Sequence, residues 1–66
     1  MKLHDILKRT RGKSKIAVIH YLSGEVFIND IKVSDVIENA AYFENYRQRE
    51  VYAVEIENNV MNIEII

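Results

Sequence analysis

The sequence predicts an α+β fold: a small antiparallel sheet of two β-hairpins carrying two short helices, in the order α-β-β-α-β-β. Three observations predict it. The last sixteen residues, VYAVEIENNVMNIEII, alternate apolar and polar side chains on either side of Asn58-Asn59. A second run rich in β-branched and aromatic residues, Lys15–Leu22, precedes the turn pair Ser23-Gly24. The remaining stretches place apolar residues at helical spacing.

Taken in order, Leu3, Ile6 and Leu7 follow i, i+3, i+4 spacing, which predicts an amphipathic helix over 2–9. Thr10 to Ser14, with Gly12, ends it. Lys15–Leu22 is the first strand, and Glu25–Asn29 returns beside it, with Tyr21 facing Val26 and Ile19 facing Ile28. Ala17 lies alongside that pair. The opposite face holds Ile16, Val18, His20 and Phe27, so both faces of this hairpin are apolar. One face needs a separate cover, which a helix or another subunit can supply.

Asn29-Asp30 reads as a further turn and Ile31–Val33 as a brief extended piece. Ser34 suits an N-cap and Asp35 a helix first turn. Val36, Ile37 and Ala40 give a helical stripe to about residue 41. Tyr42–Gln48 either continues that helix or forms the loop into the third strand.

In the final hairpin, both asparagines tolerate the positive φ of a two-residue turn. Glu57 then faces Val60, Ile56 faces Met61, Val54 faces Ile63 and Tyr52 faces Ile65. Tyr52, Val54, Ile56, Met61, Ile63 and Ile65 share one apolar face, and Glu55, Glu57, Asn62 and Glu64 share the other. A one-residue slip would drive the glutamates into the core, so the register is strongly specified.

Residues 1–66 make one domain, and a chain this short buries only about 60% of its unfolded surface. Such folds lean on disulfides, metals or partners. The chain has no cysteine, and His4 and His20 cannot hold a metal alone. No metal or cofactor is expected, and a homo-oligomer is, with Ile16, Val18, His20 and Phe27 at its contact. No stretch approaches the roughly 20 apolar residues of a membrane span. The first residues lack the apolar region of a secretory signal, so the expected location is the cytoplasm.

The net charge of −1 is unevenly spread. Residues 1–15 carry six cations against Asp5 alone, net +5, and residues 16–66 carry three cations against nine carboxylates, net −6. The asymmetry points to an anionic partner for the first segment or to head-to-tail contact between subunits.

Two segments could carry binding chemistry. Arg9, Arg11, Lys13, Ser14 and Lys15, with Thr10 and Gly12, offer the cations, hydroxyls and permissive backbone that an anion site uses. Gly12-Lys13-Ser14 mimics the tail of a phosphate-binding P-loop, but Leu7 stands where the first glycine belongs. The segment also runs from helix to strand, the reverse of that motif, which excludes nucleotide hydrolysis by it. The alternative reading is a solvated basic loop. The second segment is Tyr42, Phe43, Tyr46, Arg47 and Arg49, whose residue types suit a partner or ligand surface. Alternatively its aromatics cap the core and its arginines answer nearby glutamates. No Ser/His/Asp grouping is evident, and Glu55, Glu57 and Glu64 read as a solvated face, so no catalytic residue is assigned.

The order of motifs resembles a known group of proteins. A short opening helix is followed by Gly24-Glu25-Val26, by a helix start at Val33-Ser34-Asp35, and by the hairpin of residues 49–66. These resemble small phage- or prophage-encoded accessory proteins of Gram-positive bacteria, most of them without assigned function. The resemblance implies a host-cytoplasm setting and carries no catalytic residue across. It implies a non-enzymatic protein that inhibits host defence by binding a host protein or by sequestering a small anionic or nucleotide signal. The competing expectation is a nucleic-acid-binding module using the basic first segment, which the acidic remainder of the chain disfavours.

Overall fold

Four strands and three short helices follow one another along the chain: α1 (Leu3–Leu7), β1 (Lys15–His20), β2 (Val26–Lys32), α2 (Val33–Glu38), α3 (Ala40–Tyr46), β3 (Val51–Glu57) and β4 (Val60–Ile65). The computed structural model describes residues 1–66. The strands form one sheet in the order β2-β1-β4-β3. Both hairpins are antiparallel, and a parallel contact between β1 and β4 joins them into a mixed sheet.

The core explains which faces are covered. Ile16 and Val18 of β1, Ile28 of β2, and Ile63 and Ile65 of β4 meet Leu3 and Leu7 of α1 and Val33 and Val36 of α2. All nine are at most 1% exposed. Each such side chain contributes roughly 1.5–3 kcal/mol relative to exposure. Ile16 and Val18, expected at a subunit contact, therefore lie inside a single chain. The helices cover the face on which they sit, and the half-buried His20 and Phe27 border it.

Two irregularities in β2 changed the expected first hairpin. Ile19 faces Val26, Val18 faces Ile28 and Ile16 faces Ile31, with register shifts between these pairs. The connection is longer than a Ser23-Gly24 turn. His20 N–H donates to the Glu25 carbonyl, and Gly24, at φ +74°, donates back to the His20 carbonyl. Asn29-Asp30 does not end the strand. Asp30 takes φ +54° within β2, and the extra residues stand opposite Ala17 as a bulge. The bulged strand brings both Phe27 and Ile28 against the core.

The helices also start and stop differently from expectation. α2 begins at Val33, so Ser34 lies within its first turn and is not the N-cap. Asn39 is extended and breaks the helical run. Its Oδ1 accepts the Tyr42 N–H at 3.2 Å, which starts α3 as a separate helix. Residues 42–46 are thus helical, and 47–49 form a turn.

The C-terminal hairpin turns on Asn58 (φ +53°) and Asn59 (φ +64°), with Glu57 facing Val60, Ile56 facing Met61 and Val54 facing Ile63. One pair differs. Val51, not Tyr52, faces Ile65, because a bulge at Tyr52-Ala53 inserts an extra residue opposite Glu64. Tyr52 therefore joins the face opposite the helices. Val54 and Ile56 stay on the helix side but are 45% and 74% exposed, because the helix layer does not reach β3.

Candidate functional site

Beyond the edge of the helix layer, the uncovered side of the C-terminal hairpin meets the basic loop. A surface cavity of about 420 Å³ opens there, lined by Arg9, Thr10, Ser14 and Lys15 on one side and Ile56, Asn59 and Met61 on the other. The parallel β1–β4 contact creates it. Ile16 lies beside Met61 in that register, so the chain entering β1 passes the apolar side of the hairpin.

The loop between α1 and β1 is fixed from within. Thr10 Oγ1 donates to the Ile6 carbonyl at 2.7 Å. The Ser14 carbonyl accepts the Val33 N–H at 2.8 Å, and the Gly12 carbonyl accepts the Ser34 N–H at 3.1 Å. Loop carbonyls thus satisfy the first amides of α2, which no side chain caps. The N–H groups of Arg11, Gly12 and Lys13 make no hydrogen bond within the chain. Three unpaired amides beside the loop's cations leave donors that an anion can use.

Charge adds to that polarity. Arg9, Arg11 and Lys13 form no ion pair with any carboxylate of the chain. Lys15 borders the cavity, but its ammonium stands 4.0 Å from Asp30. Arg11 and Lys13 lie in the same loop outside the cavity lining. Of the five basic-segment residues singled out by sequence, Arg9, Ser14 and Lys15 are brought together. The lining holds no carboxylate, imidazole or thiol. What it offers is the cations of Arg9 and Lys15, the Ser14 hydroxyl and the Asn59 side-chain amide beside two apolar side chains.

The aromatic and arginine segment is placed elsewhere and is largely used in packing. Phe43 stacks on His4 with centroids 5.6 Å apart, and the Arg47 guanidinium lies 5.1 Å from the Phe43 centroid. Tyr46 stacks on Phe27 at 4.9 Å, and Arg49 lies over the same Phe27 while donating to the Ile66 carbonyl at 2.6 Å. Tyr42 packs against the core. Arg47 also meets Glu44 at 3.4 Å. This seam ties α3 to α1 and β2 near the C-terminal end of β1, whereas the basic loop enters the opposite end. The two segments do not form one site. His20 borders the same seam, edge-on to Phe27, with its Nδ1 accepting the Ser23 N–H.

Thr10, from the same basic segment, also lines the cavity, and Ile56, Asn59 and Met61, which complete it, were not singled out as site residues by sequence. Ile56 and Met61 read as hairpin core residues. Only the incomplete reach of the helix layer leaves them as a wall of the cavity. A second cavity, about 360 Å³, lies near the same turn and is lined by Ala17, Asn29, Asp30, Glu57, Asn58, Val60 and Asn62.

Fold and cavity together define a small α+β protein with a donor-rich, partly apolar groove at a hairpin edge. No protein-family model, no curated protein and no solved structure matches the chain. No helix is long and apolar enough to cross a membrane, and no three His, Asp or Glu side chains cluster to hold a metal ion.

Proposed function

We propose that the protein is a non-enzymatic binding module whose groove captures a small phosphate-bearing ligand with a planar or apolar part, a nucleotide being the natural class. The observation that carries this reading is the pairing of Arg9, Thr10 and Ser14 with Ile56 and Met61 across one cavity of about 420 Å³. Cavities of roughly 300–1,000 Å³ are the usual size for small-molecule sites. Phosphate oxygens suit the Arg9 guanidinium and the Ser14 hydroxyl, while a base suits the two apolar side chains. The absence of an acid–base pair in the lining supports capture over turnover. In the phage-type setting implied by the resemblance, such capture would withhold a nucleotide signal from host defence.

Thermal unfolding with a panel of mono-, di- and cyclic dinucleotides, and with inorganic phosphate, tests the reading. A ligand at 100 times its Kd stabilises by about 2.7 kcal/mol. For a domain this small that is an upward shift of about 10 °C or more. The shift should vanish in Arg9→Ala and shrink in Ile56→Ala. No shift with any phosphate-bearing compound would remove the proposal. Binding to DNA that collapses steeply with salt, without a nucleotide response, would favour the nucleic-acid reading instead.

A further inference from the structure

The sheet face opposite the helices has no cover, and its side chains are graded in rows across the strands. Tyr21, Ile66 and Tyr52 form the end row beyond β1, β4 and the bulge of β3. Tyr21 and Tyr52 stack there with centroids 3.8 Å apart. Val26, Ile19, Glu64 and Ala53 form the next row. Further along, Ala17, Asn62 and Glu55 follow, and then Lys32, Lys15, Val60 and Glu57. One end of the face is apolar. The other is charged, with lysines on the β2–β1 side and glutamates on β3.

We infer that this face docks on a second copy of the same chain, sheet against sheet, about a twofold axis parallel to the strands. Apolar area and charge select that occupant. Tyr21, Tyr52, Val26 and Ile66 are 39%, 55%, 53% and 52% exposed and lie together, a contiguous apolar cluster of the kind that marks an interaction surface. Four strands of six or seven residues present a face of roughly 20 by 20 Å, enough for an interface at the smaller end of the standard range.

Charge selects the axis. A twofold parallel to the strands keeps each row opposite the same row and exchanges the two sides of the sheet. Apolar rows then meet apolar rows, and Lys32 on β2 comes opposite the partner subunit's Glu57 on β3. A twofold perpendicular to the strands would instead set the tyrosines on the lysines and glutamates. Strands aligned across the interface match the usual geometry of stacked sheets.

Edge-to-edge pairing through β3 is blocked by features of the strand itself. Lys2 bridges to Glu50 beside its start, the Tyr52-Ala53 bulge interrupts it, and Glu55 and Glu57 flank what remains. One residue fits the dimer poorly. Glu64 stands in the second row, so its carboxylate loses water without gaining a cation. Asp30, which approaches the partner's Glu55, is already within 4.0 Å of Lys15. Ile56 and Met61 of the groove stand on the other side of the sheet, and Lys15 belongs to both surfaces.

Sedimentation velocity over a wide concentration range, with light scattering for mass, tests the inference on the full chain. The expected mass at high concentration is twice 7.8 kDa. Tyr21→Ser with Tyr52→Ser should weaken association at least 100-fold, with far-ultraviolet dichroism reporting whether the fold persists. Because that variant removes a stack, surface charges provide a second reading that spares the fold. Lys32→Glu or Glu57→Lys alone should weaken association about tenfold, and the two together should restore it. Glu64→Gln should tighten it. A monomer at millimolar concentration, or a dimer indifferent to the tyrosines, would overturn the inference. Failure of the charge exchange to restore association would overturn the proposed axis.

Discussion

The amide of Ser34 donates to the carbonyl of Gly12 at 3.1 Å, and this bond fastens the basic loop to the start of α2. Backbone, not side chain, performs the capping. Ser34→Ala should therefore cost less than about 0.5 kcal/mol, below the ~1 kcal/mol typical of a lost N-cap. Asn39→Ala should cost the full ~1 kcal/mol, because Asn39 Oδ1 accepts the Tyr42 N–H and begins α3. Urea denaturation of the two variants checks the ranking, and a reversed order would contradict the assigned helix starts.

Ile63 and Ile56 occupy the same face of one hairpin but differ in cover. Ile63 is fully buried and Ile56 is mostly exposed. Ile63→Ala should cost roughly 2–5 kcal/mol, enough to unfold much of a domain this small. Ile56→Ala should stay within about 0.5 kcal/mol of the parent and act on ligand affinity instead. Equal stability losses at the two positions would mean that the helix layer extends over β3.

The Asn58-Asn59 turn places two non-glycine residues at positive φ. Asn59→Gly suits this geometry and should be neutral or stabilising by a few tenths of a kcal/mol. Asn58→Val should destabilise by about 1–2 kcal/mol, since a branched Cβ opposes the left-handed region. Thermal midpoints report both, and tolerance of valine would show that the turn can reform differently.

Asp5 gives the chain a specific acid response. The Lys2 N–H donates to its carboxylate at 3.2 Å and, with nearby Lys8, His4 and Arg9, holds its pKa below the ordinary aspartate value. A lowered folded-state pKa contributes stability that is present above the unfolded value, near 3.8, and is lost as pH falls through the folded one. Asp5→Asn should thus be less stable than the parent at neutral pH, with the difference narrowing below about pH 4. A gap that widens on acidification would contradict this assignment.

How much of this was legible in the sequence depends on how local the cause was. The C-terminal register could be read from Asn58-Asn59 and strict alternation up to Val54. It failed at Tyr52, where a bulge, invisible to a period-two pattern, moved the ring to the other face. Ile16 and Val18 were recognisable as needing cover, but only tertiary structure shows that α1 and α2 supply it. The basic half of the groove follows from the cations of residues 9–15. Its apolar half does not, because Ile56 and Met61 reach the loop only through the parallel pairing of β1 with β4, strands more than forty positions apart along the chain.

Capture of a phosphate-bearing ligand between the basic loop and the hairpin is the central proposal. Titrating isotope-labelled protein with nucleotides while following backbone amide resonances tests it most directly. Saturating shifts at Thr10, Ser14, Ile56 and Met61, lost in Arg9→Ala, are the predicted result. An unchanged spectrum, or shifts confined to the Tyr42–Arg49 seam, would contradict it.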